Sequence, residues 1–342
     1  MFLSGAGGFV GHHTMLHLLK YTDWDIVVSD SFRHKGLTSR ISEVLEAFDS
    51  DTRSRVRIFT HDLIVPIDKL LQSKIGDIDV IISMASESHV DRSIEFPRPF
   101  VENNIGSILT LLEFAKDQKK LQLFLQISTD EVYGPAHGDT RHKEWDPHFP
   151  SNPYSASKAA QESLCFSYWR TYGIPLVITN TMNIIGERQD PEKFLPKIIR
   201  AIKFDQEISV HAQEIAPSVW KSSSRFYLHA QSQSNALMYL INNRDRLNLF
   251  YSQDNSIPEK FHIVGEKEFE NDKLVKLVGE IMKKRAKLRY ESFHQSRPGH
   301  DMRYALDGTR LARFGWHHPE KIEMSIERTI NWFLANPAWL SI

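Results

Sequence analysis

Apolar residues dominate short stretches at 24–29, 56–60, 79–84, 121–127 and 175–181, which read as strands. Runs of this length without alternation mark strands covered on both faces. Longer amphipathic stretches lie between them. Residues 100–118 carry apolar side chains at helical spacing, and a second helix is predicted from Tyr154 onward. The chain opens on a short strand, a glycine turn and a helix. Strands alternating with helices predict a parallel sheet with helices on both faces, a doubly wound α/β fold.

After about residue 183 the alternation weakens. A polar loop spans 183–193 and leads into a helix at 194–204. Residues 206–224 are serine-rich and read as irregular, and helices are predicted at 230–242, 272–285 and 320–335. With strands near 208–210 and 261–264, this predicts a smaller mixed α/β C-terminal lobe. The expected division is a cofactor domain over 1–182, rejoined at about 225–245, and a substrate lobe over 183–342.

Composition excludes some classes of function. The chain has 342 residues, 41% hydrophobic and 25% charged, with ample material for a core. A net charge of -1 gives no electrostatic case for a nucleic-acid partner. No run of about 18 apolar residues occurs, and no basic segment leads into a long apolar core, so no membrane span and a cytoplasmic location are expected. The single cysteine, Cys165, excludes an internal disulfide and reads as a core thiol. His12-His13 and His317-His318 are adjacent pairs whose side chains are expected to diverge, so no metal site is predicted.

The candidate chemistry sits where buried runs end. After 121–127 come Ser128, Thr129, Asp130 and Glu131, one hydroxyl after another and then two carboxyls. A strand running out into a loop is where an open α/β sheet places its reactive groups. Tyr154 and Lys158 lie four apart on the predicted helix and share one face. A lysine ammonium there would lower the pKa of a nearby phenol and ready it as a general base. Gly5, Gly8 and Gly11 have the spacing G-x-x-G-x-x-G between strand and helix, which lets a pyrophosphate approach the backbone and the helix N-terminus. Asp30 ends the next strand, where a carboxylate accepts from an adenosine ribose and repels a 2′-phosphate, favouring NAD over NADP. Arg33 and Lys35 nearby weigh the other way.

These segments, with Ser86 to Ile94, Pro191-Glu192-Lys193 and Arg297 to Tyr304, resemble the extended short-chain dehydrogenase/reductases over nearly the whole chain. Among them the chain is most similar to the dTDP-glucose 4,6-dehydratases, and Thr129-Asp130-Glu131 is the discriminating feature. The resemblance implies a Rossmann-type cofactor domain holding NAD. It implies that Tyr154, with Thr129 and Lys158, removes the proton of the sugar 4-hydroxyl during C4 oxidation, and that Glu131 takes the C5 proton. Asp130 would protonate the departing 6-hydroxyl, and the hydride would return to C6. Gly5, Gly8, Phe9, Val10, Gly11 and Asp30 would hold the adenosine diphosphate half. Asp62 and Leu63 would touch the adenine, Ala85 and Asn104 would lie along the cofactor, and Lys158 would bond the nicotinamide ribose. Ser88 and Thr129 would face the hexose, and Asn183, Glu192, Lys193, Arg225, Arg297 and His300 would grip the nucleotide diphosphate.

The chain departs from the pattern in its second half. Arg225-Phe226-Tyr227 stands where the family has Arg-Asp-Trp, residues 210–224 are longer and more polar, and no base-contacting Asn matches near 266–268. UDP-glucose therefore competes with dTDP-glucose as the substrate. A 4-epimerase or UDP-glucuronate decarboxylase is the alternative within the fold, and an inert NAD-binding scaffold is the alternative outside enzymes. The resemblance also implies a homodimer through helices near 100–117 and after Tyr154. Leu109, Leu112, Phe166 and Trp169 give these helices apolar residues on more than one face.

Overall fold

The computed structural model describes residues 1–33, 35–292 and 301–341. Its first half runs β1 (Phe2–Ser4), α1 (Phe9–Tyr21), β2 (Ile26–Asp30), α2 (Thr38–Glu46), α3 (Ser50–Ser54), β3 (Val56–Thr60), α4 (Lys69–Ile75), β4 (Val80–Ser83), α5 (Val90–Glu95), α6 (Pro97–Lys116), β5 (Leu123–Thr129), α7 (Pro153–Tyr172) and β6 (Leu176–Thr181). The rest runs β7 (Asn183–Ile185), α8 (Phe194–Lys203), β8 (Glu207–Ala216), β9 (Val219–Ser222), β10 (Ser224–His229), α9 (Ala230–Asn242), β11 (Glu259–Ile263), β12 (Glu268–Glu270), α10 (Asn271–Ile281), β13 (Lys287–Ser292), α11 (Thr309–Phe314) and α12 (Ile322–Ala335).

Seven strands form one parallel sheet in the order β11-β6-β5-β4-β1-β2-β3. Strand order reverses between β1 and β4, and such a switch point opens a crevice at the carboxyl ends of the strands. Each of β1, β2, β4, β5 and β6 is buried along its whole length, as stretches dominated by apolar residues require. Helices cover both faces: α1 and α9 pack on one side, and α6 and α7 on the other. Each fully buried aliphatic side chain stabilises this arrangement by about 1.5–3 kcal/mol.

The second half differs from the sequence expectation in two places. The strand expected near 208–210 is present as the start of β8, and residues beyond it that were expected to be irregular complete an antiparallel hairpin of β8 with β9, which β13 joins in parallel. Ile208, Val210 and Ala212 alternate inward along β8, and Ile208 and Val210 join a core with α8, α10 and α12. The strand expected at 261–264 in the C-terminal lobe instead extends the parallel sheet as β11, beside β6. A second small sheet, β12-β10-β7, connects the polar loop to the lobe. The expected divergence of His12 and His13 also fails. Their ring centroids lie 4.2 Å apart and both are buried, His12 over the Gly8 carbonyl and His13 against Glu187 and His229.

Candidate active site

A cavity of about 380 Å³ opens at the carboxyl ends of the strands and runs from the glycine turn to the end of β5. At the first end, Gly5 has φ +76°, and a Cβ on it would stand 2.9 Å from the Ala85 backbone. A Cβ on Gly11 would stand 2.0 Å from the Gly5 carbonyl oxygen, so helix α1 can lie this close to the turn only with glycine there. Gly8 caps α1 without a side-chain bond, which leaves the first N–H groups and the positive dipole end facing the cavity. Asp30 accepts from the Gly7 N–H through Oδ2 and from the Phe32 N–H through Oδ1, both at 2.8 Å. Burial raises its pKa against those bonds. The nearby cations are already engaged: Arg33 pairs with Asp62 at 2.7 Å, and Lys35 with Glu192 at 2.9 Å. A glycine cradle, a free helix N-terminus and a carboxylate one strand away fit a dinucleotide with an unphosphorylated ribose.

The other end is built by β5 and α7. Pairing of β5 with β4 and β6 carries Thr129 to the mouth of the sheet, and a 3₁₀ turn (Asp130–Tyr133) follows at once. Helix α7 starts from a capping box. The Asn152 side chain accepts from the Ser155 N–H, the Ser155 hydroxyl accepts from the Asn152 N–H, and Pro153 takes the first helical position. This start fixes Tyr154 and Lys158 on the face toward β5. Asn152 also donates to Glu131 Oε2 at 3.2 Å. Its contact with the candidate base escaped the sequence reading, although Asn152-Pro153 is a readable helix-start signal.

Electrostatics separates the two carboxyls. Burial, then the charge of Glu131, pushes the Asp130 acid up to about 7. Thr129 donates to Asp130 Oδ1 at 3.0 Å, while Oδ2 is buried without a hydrogen-bond partner among the described residues. The phenol of Tyr154 is held above its ordinary range by burial and by Glu131, against a hydrogen bond with Thr129. Lys158 was expected to lower that phenol. Its ammonium instead donates to the Ile127 carbonyl at 2.7 Å and to Gln161 Oε1 at 2.6 Å. Burial lowers its own pKa to about 8, against the charge of Glu162.

A family model described as GDP-mannose 4,6 dehydratase matches residues 2–329. The chain belongs to this family. It is 32% identical to a low-salt glycan biosynthesis protein of Haloferax volcanii over 98% of each chain. It is 30% identical to a dTDP-glucose 4,6-dehydratase of Shigella flexneri, covering 99% of this chain and 93% of that one. Among solved structures it is similar to a dTDP-glucose 4,6-dehydratase double mutant of Streptomyces venezuelae with NAD bound. That likeness has a TM-score of 0.83 at 26% identity, covering 99% of this chain and 98% of that one.

In this family member the cavity gathers most of the residues singled out from the sequence. Gly5, Gly8, Phe9, Val10, Gly11, Asp30, Asp62, Leu63 and Ala85 line it with Thr129, Asp130, Glu131, Tyr154 and Lys158. Ser88, Asn183, Glu192 and Lys193 line it on the substrate side, where Lys193 reaches the Ser88 carbonyl at 3.3 Å. Asn104 is not in the lining. It is fully buried behind the wall, accepting from the Glu87 N–H and donating to Ser157. Arg225 is not in the lining either. Its guanidinium donates to the carbonyls of Ser224, Asp301 and Met302 and stacks 4.7 Å from the Tyr304 ring centre. Arg297 and His300 lie outside the described residues. Gln233, unremarked in the sequence, lines the cavity and accepts from Thr181 at 3.0 Å. Among the described residues no helix is long and apolar enough to cross a membrane, and no cluster of ligating side chains could hold a metal.

Proposed function

We propose that the chain is an NAD-dependent nucleotide-sugar 4,6-dehydratase, acting on dTDP-glucose or UDP-glucose to give the 4-keto-6-deoxy sugar. The observation that carries this reading is the pair Asp130 and Glu131 beside Tyr154 in one cavity, with Asp130 pushed up to about 7. Removing a 6-hydroxyl requires an acid and a base in one pocket, and carboxyls in unlike surroundings divide those roles. A 4-epimerase or decarboxylase has no use for that division.

NAD, when bound, supplies a cationic ring that accepts the C4 hydride and returns it to C6. A positive charge beside the phenol would offset the effect of Glu131 and favour the phenolate. Tyr154 then takes the proton of the 4-hydroxyl, with Thr129 in contact and Lys158 as the cation one helical turn away. The resulting ketone acidifies C5–H, and Glu131, steadied by Asn152, receives that proton. Asp130 protonates the departing 6-hydroxyl, and water leaves. Glu131 gives its proton back to C5 as C6 is reduced.

The nucleotide diphosphate is assigned to the mouth of the cavity, near Asn183, Glu192 and Lys193. The subunit is proposed to pair through α6 and α7. Leu109 and Val101 on α6 stay exposed and carry this reading, whereas Leu112 and Trp169 are buried in the subunit's own core. The test is mass spectrometry after incubating the protein with NAD⁺ and dTDP-glucose or UDP-glucose. A product lighter by one water, without net reduced cofactor, is expected. An isomer of unchanged mass would replace the reading with epimerisation.

A further inference from the structure

Behind the catalytic helix lies a buried charge cluster that the chemistry above does not use. Glu162 sits on α7 one turn beyond Lys158 and is fully buried. Its Oε2 lies 2.7 Å from the ammonium of Lys260 on β11 and 3.3 Å from Nε2 of His148. Lys260 is itself buried, 3.2 Å from His148 Nε2 and 4.8 Å from the Tyr133 ring centre. The other oxygen of Glu162 accepts from Asn180 Nδ2 at 2.8 Å. That same amide donates to the Thr129 carbonyl at 3.0 Å. One carboxylate thus joins the catalytic helix, the end of the catalytic strand and the edge strand of the sheet.

A buried carboxylate is retained as an anion only where partners outweigh its desolvation. Here the close approach of His148 and Lys260 outweighs burial and holds Glu162 low. Besides Glu162, the carboxyls of Glu144 and Asp146 face Lys260, and burial raises the pKa of Glu144. On α7 the Cys165 thiol is pushed up by burial. On the turn after β5 the Tyr133 phenol is pushed up by burial, and on β11 burial lowers His262 to about 3. From the cavity side Tyr154 is pushed up, and Asp130 is raised to about 7. Glu162 is the leading anion acting on Lys158, whose ammonium donates to two neutral acceptors, the Ile127 carbonyl and Gln161 Oε1.

Resting on the dehydratase reading, we propose that Glu162 is a positioning residue that keeps Lys158 an ammonium and anchors the Thr129 carbonyl through Asn180. Lys260 and His148 serve to keep Glu162 ionised.

The test follows Lys158 directly. Acetylation of Lys158 in the full-length, ligand-free protein is measured against pH by peptide mass spectrometry, in parallel with the pH profile of cofactor reduction by substrate. In the unaltered protein Lys158 should titrate near pH 8. In Glu162→Gln its midpoint, and the alkaline limb of the oxidation rate, should move down by roughly one pH unit or more, since a charge one helical turn away is lost. Glu162→Asp should restore both, and KM should change less than kcat. A midpoint well below 7 in the unaltered protein overturns the proposal even if Glu162→Gln does not fold. So does a Glu162→Gln variant that loses rate equally at every pH with Lys158 unmoved. Absence of dehydration by the unaltered protein would remove the dehydratase reading instead, while the acetylation profile would still report on Lys158.

Discussion

Thr129 donates its hydroxyl hydrogen to Oδ1 of Asp130 over 3.0 Å, while Oδ2 of the same carboxyl is buried without a hydrogen-bond partner among the described residues. Burial and the charge of Glu131 favour the protonated acid, against the hydrogen bond from Thr129. The folded protein keeps this proton up to about pH 7, whereas an unperturbed aspartate releases it near 3.8. Stability contributed here therefore falls as pH rises from about 4 to about 7. Asp130→Asn should be more stable than the unaltered protein at pH 8, on the order of 1–3 kcal/mol after allowing for an unpartnered amide. Near pH 4 that advantage should be lost, and the unpartnered amide should leave Asp130→Asn the less stable protein. Urea unfolding at the two pH values measures it, and equal stability at pH 8 counts against a buried, raised Asp130.

The same group sets a kinetic limit. If Asp130 delivers the proton to the leaving hydroxyl, water loss should slow about tenfold per pH unit above about 7. C4 oxidation should not slow in step. Rapid mixing with substrate, followed by reduced-cofactor absorbance, separates the two phases. Parallel decline of both phases would assign the acid elsewhere.

Glu131 and Tyr154 should fail at different stages. Tyr154→Phe should lower C4 oxidation by about 10²–10⁴, and no reduced cofactor should appear. Glu131→Gln should oxidise C4 but stall before water loss, so bound reduced cofactor accumulates. Normal turnover by Glu131→Gln would dismiss it as the base.

Gly11 tests the cofactor end. A Cβ there would meet the Gly5 carbonyl at 2.0 Å, so Gly11→Ala must push α1 off the turn. A loss of about 1–3 kcal/mol of stability and weaker NAD binding are expected. Calorimetric titration with NAD⁺ provides the check, and unchanged affinity would mean that the turn does not hold the pyrophosphate.

Leu109 is exposed on α6, one helix away from the catalytic face. If α6 and α7 form the dimer contact, Leu109→Glu should place charge in a buried seam and yield monomers. Sedimentation velocity of both proteins decides it. An unaltered protein that already sediments as a monomer ends the dimer reading.

The sheet was legible because its central strands are covered on both faces and are dominated by apolar residues, as at 121–127. The candidate cluster was legible because its residues adjoin: Thr129 leads into the turn of Asp130 and Glu131, and Tyr154 and Lys158 share one helix face. The hairpin at 207–222 was missed because serines and charges on its outer face masked the period-two burial of Ile208, Val210 and Ala212. The edge strand Glu259–Ile263 was misplaced because its partner β6 lies far away in sequence. The partners of Lys158 were not legible either. Sequence places it near Tyr154, but only the fold shows that Ile127 and Gln161 receive its hydrogens and that Glu162 lies behind it.

The contact between Thr129 and Asp130 has a further meaning under the proposed chemistry. Each cycle leaves Tyr154 one proton richer and Asp130 one proton poorer, although the sugar has lost only water. Before the next sugar enters, a proton has to pass from the phenol to the carboxyl. Both groups are buried, and the Thr129 hydroxyl touches each of them. By accepting from one and donating to the other, a single hydroxyl can rearm the site from within, so that repeated cycles draw no proton from the surrounding buffer.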